Sequence, residues 1–288
     1  MPSYAELQQR AIDRYESGDF AGAIRDLSEV IAAFPDNATA LYNRAVIYAE
    51  ANAHAPAIAD LDAAIRIFPE NADLYHARAT SHRASGKLKA ALADLDRAIE
   101  LMPNDPEQFL LRGNIHADDA QRDAAFADYT DAIRVFPEFV AAWYNRALLY
   151  LKTGDYYPAL RDLGKCIELE PSTIGYYVDR ARVHATLEEF EEARKDYSSA
   201  IALNPRHPQL YTFRAHVNTQ MQDLELALKD YDTAIRLDPS KSEPYRFRGA
   251  VRMHQGNKEE ACADFKAAAD RGDAEAKEYW EKNCGAAE

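Results

Sequence analysis

Seven prolines, Pro35, Pro69, Pro103, Pro137, Pro171, Pro205 and Pro239, follow one another at intervals of 34 residues. A fixed period of that length is the signature of a repeat architecture, in which each small unit buries its apolar face only against its neighbours. With the proline taken as position 32, the repeats run 4–37, 38–71, 72–105, 106–139, 140–173, 174–207, 208–241 and 242–275. In the eighth, Asp273 stands where the proline would fall. A half-unit over 276–284 follows, with Tyr279 at a position that is large and apolar in the full copies. A length of 288 residues suggests about two ordinary domains. The period predicts a single array over 1–288, ending in a closing helix.

Each unit reads as two helices. In the fifth, Trp143, Ala147, Leu148 and Leu151 recur at helical spacing, Gly154-Asp155 breaks the run, and a second helix lasts until Pro171. Position 4 is large in every copy, from Leu7 and Leu41 to Tyr211 and Tyr245, and position 8 is Ala or Gly. Position 20 is Ala throughout, from Ala23 to Ala261. Large residues facing small ones let helices approach closely and interlock. Position 7 is Arg in all eight copies and position 23 is Asp in all eight, from Arg10 and Asp26 to Arg248 and Asp264. The two stand 16 residues apart, one on each helix, which predicts Arg–Asp pairs across the hairpin, bidentate where geometry allows. A ladder of ligand-binding arginines is the functional alternative.

This pattern resembles the tetratricopeptide repeat, a helix–turn–helix unit of 34 residues with large, small, Ala and Pro in these places. The resemblance covers nearly the whole chain. It implies an all-α fold, a right-handed alpha-alpha superhelix of about one turn, with first helices lining a concave groove. The function it implies is broader: adaptors and scaffolds that hold peptides or partner proteins. Arg at position 7 departs from the family's commoner Leu.

Composition narrows the function classes. The chain holds 34 Lys+Arg against 48 Asp+Glu, a net charge of −14, which argues against nucleic acid as a partner. Met1 to Phe139 carries 13 bases and 23 acids, so the first half holds most of the surplus. No segment approaches the ~18–20 uncharged apolar residues that span a bilayer, so no membrane insertion is expected. No basic-then-apolar leader is visible at the N-terminus. Ser3 and Glu6 have capping-box spacing for the first helix. Three cysteines are no disulfide framework and fit a reducing cytoplasm. Cys166 takes a small-residue position and is expected buried, while Cys262 and Cys284 read either as two reduced thiols or as a clasp. His82, His116 and His184 share position 11, where stacked packing explains them better than metal ligation. No Walker loop, G-x-S-x-G or H-E-x-x-H motif is present, and the reading is no enzyme and no cofactor.

If first helices line the groove, positions 5, 9 and 12 make its floor. None of those 24 residues is Asp or Glu, where the overall composition would place about four. Either the positions are half-buried between adjacent first helices, or they form a groove for a peptide with apolar anchors and some negative charge. On the second reading Tyr42, Val46, Leu110, Tyr144, Leu148 and Leu151 take anchors. Arg182, His216 and Arg246 take acidic groups, and Asn43, Asn114 and Asn145 offer hydrogen bonds. The clamp that holds chaperone C-terminal carboxylates does not fit: Leu110 replaces its Lys, and Gly175 and Asp179 replace later bases. Two functions compete, an interaction scaffold holding a partner segment and a module that assembles with its own copies.

Overall fold

The computed structural model describes residues 4–285, so the proposed Ser3 cap lies outside the described residues. Among these there are seventeen helices and no strand. Contacts divide them into two units, Met1–Leu149 and Tyr150–Glu288. In the first, α1 (Tyr4–Glu16) pairs with α2 (Phe20–Ala33) and α3 (Ala38–Glu50) with α4 (His54–Ile67). There, too, α5 (Ala72–Ala84) pairs with α6 (Leu88–Leu101), and α7 (Pro106–Asp118) with α8 (Arg122–Val135). The boundary between the units falls inside α9 (Val140–Thr153). The second unit holds α10 (Tyr156–Leu169), α11 (Ile174–Thr186) with α12 (Phe190–Leu203), and α13 (Pro208–Gln220) with α14 (Leu224–Leu237). It ends in α15 (Glu243–His254) with α16 (Lys258–Ala269), and α17 (Ala274–Asn283). This is an α-α solenoid of stacked hairpins. No helix among the described residues is long and apolar enough to cross a membrane.

The turn inside each hairpin has one geometry. Position 15 takes positive φ in all eight copies: Gly18, Asn52, Gly86, Ala120, Gly154, Glu188, Gln222 and Gly256. The next amide bonds back five residues, as Asp19 N does to Arg14 O at 2.8 Å and Gln121 N to His116 O at 2.8 Å. That is the left-handed helix stop glycine fits best, yet four copies carry a Cβ there.

The core is built from the positions marked by the period. The position-20 alanines are 0% exposed in every copy. Next to them position 24 is Leu, Tyr or Phe, all buried. Gly113 shows why position 8 stays small, since a Cβ there would lie 2.7 Å from the Tyr129 ring. Position 4 seals the joint between repeats. Tyr75, Tyr177 and Tyr211 donate to the carbonyls of Pro69, Pro171 and Pro205 at 3.0 Å, and Trp143 Nε1 to that of Pro137 at 2.8 Å. The proline ends its helix because it has no N–H to give, and its carbonyl then serves the next unit.

The C-terminal helix begins earlier than the expected 276, at Ala274. Asp273 is the cause: its side chain accepts from Ala276 N at 2.9 Å and caps α17. Ala276 is buried, and Tyr279 lies over Phe265 at 4.4 Å between ring centroids. Trp280, one residue on, packs on the same cluster. Cys262 and Cys284 form a disulfide with a Cα separation of 5.6 Å, so the reduced-thiol alternative is not the state seen. It ties the end of α17 to α16. Cys166 is buried, and burial pushes its thiol pKa up to about 12.

Candidate functional site

The repeat arginines come first, because they decide what the charged residues are for. Forked Arg–Asp pairs link the two helices of a hairpin, among them Arg10–Asp26, Arg44–Asp60, Arg78–Asp94, Arg112–Asp128, Arg180–Asp196, Arg214–Asp230 and Arg248–Asp264. Both prongs are short, as in Arg44, where Nε and Nη2 reach the two carboxylate oxygens at 2.7 and 2.6 Å. The aspartates are buried, and the arginines are partly so except Arg10, which is exposed. Burial raises the Asp128 carboxyl pKa, while its hydrogen bond with Arg112 opposes the shift.

A third arm of the same arginine reaches the preceding repeat. Nη1 of Arg44 meets Ser28 Oγ at 2.8 Å, Arg78 meets Asp62 at 2.7 Å, and Arg112 meets Asp96 at 2.7 Å. Arg146 meets Thr130 at 3.0 Å, Arg214 meets Ser198 at 3.0 Å, and Arg248 meets Asp232 at 2.5 Å. In Arg44, Arg78, Arg112, Arg214 and Arg248 one guanidinium therefore ties three helices, and several stack on the position-4 ring, as Arg146 does on Trp143 at 5.0 Å. The arginines are cross-braces in the array.

Position 11 places further side chains near the same aspartates. His82 Nε2 lies 3.8 Å from Asp94 and His116 Nε2 3.7 Å from Asp128. Arg252 and Asn218 reach Asp264 and Asp230 from the same position at 2.7 and 3.1 Å. His184 instead bonds Glu189 through Nδ1 at 2.6 Å.

The floor positions lie along a seam between odd-numbered helices. In the first unit α3 touches α5 and α5 touches α7 directly. The Tyr15 hydroxyl reaches Glu50 at 2.6 Å, Arg83 reaches Asp118 at 2.7 Å, and His76 Nδ1 meets Gln108 at 2.8 Å. Those contacts join positions 12 and 5 of one repeat to the next, so the half-buried reading accounts for much of the floor.

Several expected binding residues have partners inside the chain. Asn114 Oδ1 accepts from the Tyr129 hydroxyl at 2.9 Å and from Asn145 Nδ2 at 2.8 Å. His216 meets the Tyr231 hydroxyl at 3.3 Å and the Phe247 ring at 4.1 Å, and burial holds its pKa below the ordinary value. Arg246 is held by Asp273 and Glu275, each at 2.9 Å. Arg182 stays 70% exposed, with Asp179 at 3.9 Å. Tyr42, Asn43, Val46, Leu110, Tyr144 and Leu151 are half-buried, and Leu148 is 41% exposed.

One concavity of the first unit adjoins this floor at Tyr42 and opens at the turn between α4 and α5. A cleft of about 880 Å³ is lined by Tyr42, Phe68, Leu74 and Met102, with Glu70 and Asp73 among its polar residues. Only Tyr42 was a candidate from the floor pattern. The signal that finds Phe68 and Met102 is position 31, which is Phe34, Phe68, Met102 and Phe136 in the first four copies but Glu170, Asn204 and Asp238 in the next three.

Known proteins bear on this geometry. Family models described as tetratricopeptide repeat match residues 9–72, 178–242 and 215–276, residues 140–173, and residues 72–105. No curated protein matches the chain. Among solved structures, a tetratricopeptide repeat protein from Parabacteroides merdae is 24% identical over 85% of this chain and 97% of its own, with a TM-score of 0.55. The C-terminal part of a repeat-containing protein from Cytophaga hutchinsonii is 17% identical over 82% of this chain and 98% of its own, with a TM-score of 0.73. YrrB, described as having an unusual peptide-binding site, is 18% identical over 67% of this chain and 97% of its own, at 0.51. Matched in hairpin after hairpin, the chain belongs to the tetratricopeptide repeat family.

Proposed function

We propose that the chain is a non-catalytic scaffold that holds a peptide or partner segment against its odd-numbered helices. Family membership supports the coarse reading, a protein–protein interaction scaffold. The observation that carries the finer one is the apolar surface left open at position 9, where Ile12 is 43% and Leu148 41% exposed. On α9, Tyr144, Leu148 and Leu151 follow at i, i+4 and i+7, the spacing of one helix face. Tyr42 and Val46 repeat that i, i+4 arrangement on α3. YrrB binds peptide by its description, and that likeness lends only the fold. A cytoplasmic location goes with free Cys262 and Cys284, whereas a lasting disulfide goes with an oxidising compartment. Counting thiols in unreduced, denatured protein separates the two.

The test is an affinity capture with the wild type and a Tyr144→Ala/Leu148→Ala variant in parallel. Partners held by the floor are lost from the variant while its melting curve is kept. Partners recovered equally by both would mean that this face is not the one used.

A further inference from the structure

The first unit carries an apolar edge that the second does not. Position 31, the residue just past each even-numbered helix, is exposed as Phe34 (52%), Phe68 (56%), Met102 (44%) and Phe136 (45%). Exposed aromatic and thioether side chains at one register of four consecutive repeats are not the scattered apolar residues of an ordinary surface. Two of them, Phe68 and Met102, wall the cleft that reaches in to Tyr42 and Leu74. A side chain seated there meets apolar walls on two repeats at once.

The rim of this edge has one sign. Between the stripe residues and the first turn of the next helix stand Asp36, Glu70, Asp73, Glu107 and Glu138, all exposed, with no base in those same segments. None of the five forms an ion pair among the described residues. Elsewhere in the first unit Asp62, Asp96, Asp118 and Asp131 are each held by an arginine. The nearest bases along the chain are Arg66 and Arg134, on the last turns of α4 and α8. In the second unit the same turns carry Arg206 and Lys241, so the one-signed rim goes with the apolar stripe.

We propose that this edge is a second docking surface, adjoining the floor at Tyr42, and that it takes a peptide segment with bulky apolar side chains flanked by Lys or Arg. The cleft at Phe68 and Met102 receives the apolar side chain. Glu70 and Asp73 receive the basic flank, and the neighbouring turns repeat the arrangement one repeat away. Affinity from such a rim falls with salt, because exposed charges are screened beyond about 10 Å at 0.1 M.

The experiment is selection of a random displayed dodecapeptide library on the full chain, followed by binding of the selected peptides, as synthetic fluorescent probes, to three variants. Phe68→Ser/Met102→Ser alters the cleft, Glu70→Lys/Asp73→Lys inverts its rim, and Leu148→Ala leaves both intact. All four rim and cleft positions are exposed, so the variants keep the wild-type melting curve, checked by circular dichroism. The expected result is enrichment of aromatic or Leu residues beside Lys and Arg, with affinity at least tenfold weaker on the first two variants and unchanged on the third. Loss on Leu148→Ala alone would support the floor and sink the edge. No enrichment, or selected peptides that are acidic or bind all variants equally, refutes the proposal. A concentration-dependent dimer in sedimentation, abolished by Phe68→Ser/Met102→Ser, would assign the edge to a second copy of the chain instead.

Discussion

Arg180 points its Nη1 at Gly164, and a Cβ built on that glycine would lie 3.6 Å from the nitrogen. Position 25 supplies an oxygen to the next arginine in six other joints, from Ser28 with Arg44 to Asp232 with Arg248. At Gly164 the third arm of the brace has no side chain to meet. Gly164 also sits inside α10, where glycine costs roughly 0.5–1 kcal/mol relative to alanine. Gly164→Ser is expected to raise stability by about 1 kcal/mol, part from helix propensity and part from a new hydrogen bond. A double-mutant cycle with Arg180→Ala separates the two shares; no coupling between the sites would mean the arm stays unmet.

Ala120 holds φ +57°, and Glu188 and Gln222 hold similar values, where an L side chain is strained by about 1–2 kcal/mol. Glycine releases that strain at some cost in chain entropy. Ala120→Gly, Glu188→Gly and Gln222→Gly should each add roughly 0.5–1 kcal/mol in urea unfolding. Asn52, at φ +56°, gains least, because asparagine tolerates this region. A loss on Ala120→Gly would show that the turn is held by something other than its backbone angle.

How far these features could be read in advance depends on whether they repeat along the chain or only meet in space. The period, the hairpins and the Arg–Asp forks recur with fixed residue types, so one dimension was enough to find them. The third arm was invisible because position 25 of the first seven copies is Ser, Asp, Thr or Gly by turns, residues that share only an oxygen, and not even that in Gly164. Asn114 and His216 looked like free polar groups until Tyr129 and Tyr231, fifteen residues on, were placed opposite them. Arg246 looked like an anion site until α17 brought Asp273 and Glu275 against it. Position 31 was legible, but its meaning needed the exposure that only the fold supplies.

His216 is half-buried against Phe247 and Tyr231, with Glu243 and Arg246 also facing it, and burial is the largest influence lowering its pKa. The unfolded chain takes up the proton near pH 6.5, above the folded value. As pH falls below that point the unfolded state binds more protons, so stability decreases until the folded pKa is passed. His82, lowered by burial too, acts in the same direction. The unfolding free energy should therefore drop as pH falls through about 6.5, and His216→Gln should flatten part of that slope. An identical slope in the variant would show that His216 is free to charge in the folded state.

Cys262 and Cys284 close a loop with a sequence separation of 22 residues. Loop-closure entropy puts the stabilisation at about 3 kcal/mol, and because each repeat touches only its neighbours the effect should stay at the C-terminal end. Reduction should expose the amides of α17 to hydrogen exchange while those of α5 stay protected. Denatured, unreduced protein should show one titratable thiol, Cys166, and reduced protein three. Three thiols before reduction would mean that the clasp is not formed in the isolated protein.

Arg112 offers the sharpest test of the brace, because it holds Asp128 in its own hairpin and Asp96 in the repeat before, each by a short bond. Asp128 is 3% exposed, and burial already pushes its carboxyl toward the neutral form. Removing the guanidinium leaves a buried carboxylate with only His116 at 3.7 Å, a loss on the order of 3–5 kcal/mol for a truly buried pair. Arg112 is itself partly open to solvent, so the lower end of that range is expected. Arg112→Ala should lower the melting temperature and weaken protection in both α6 and α8, the two helices it joins to α7. Arg112→Lys should recover little, since an ammonium cannot fork to one carboxylate and reach another. Partner binding on the floor should survive in whatever fraction stays folded. A variant with wild-type stability and no partner binding would reverse the assignment and make the arginines a ligand ladder.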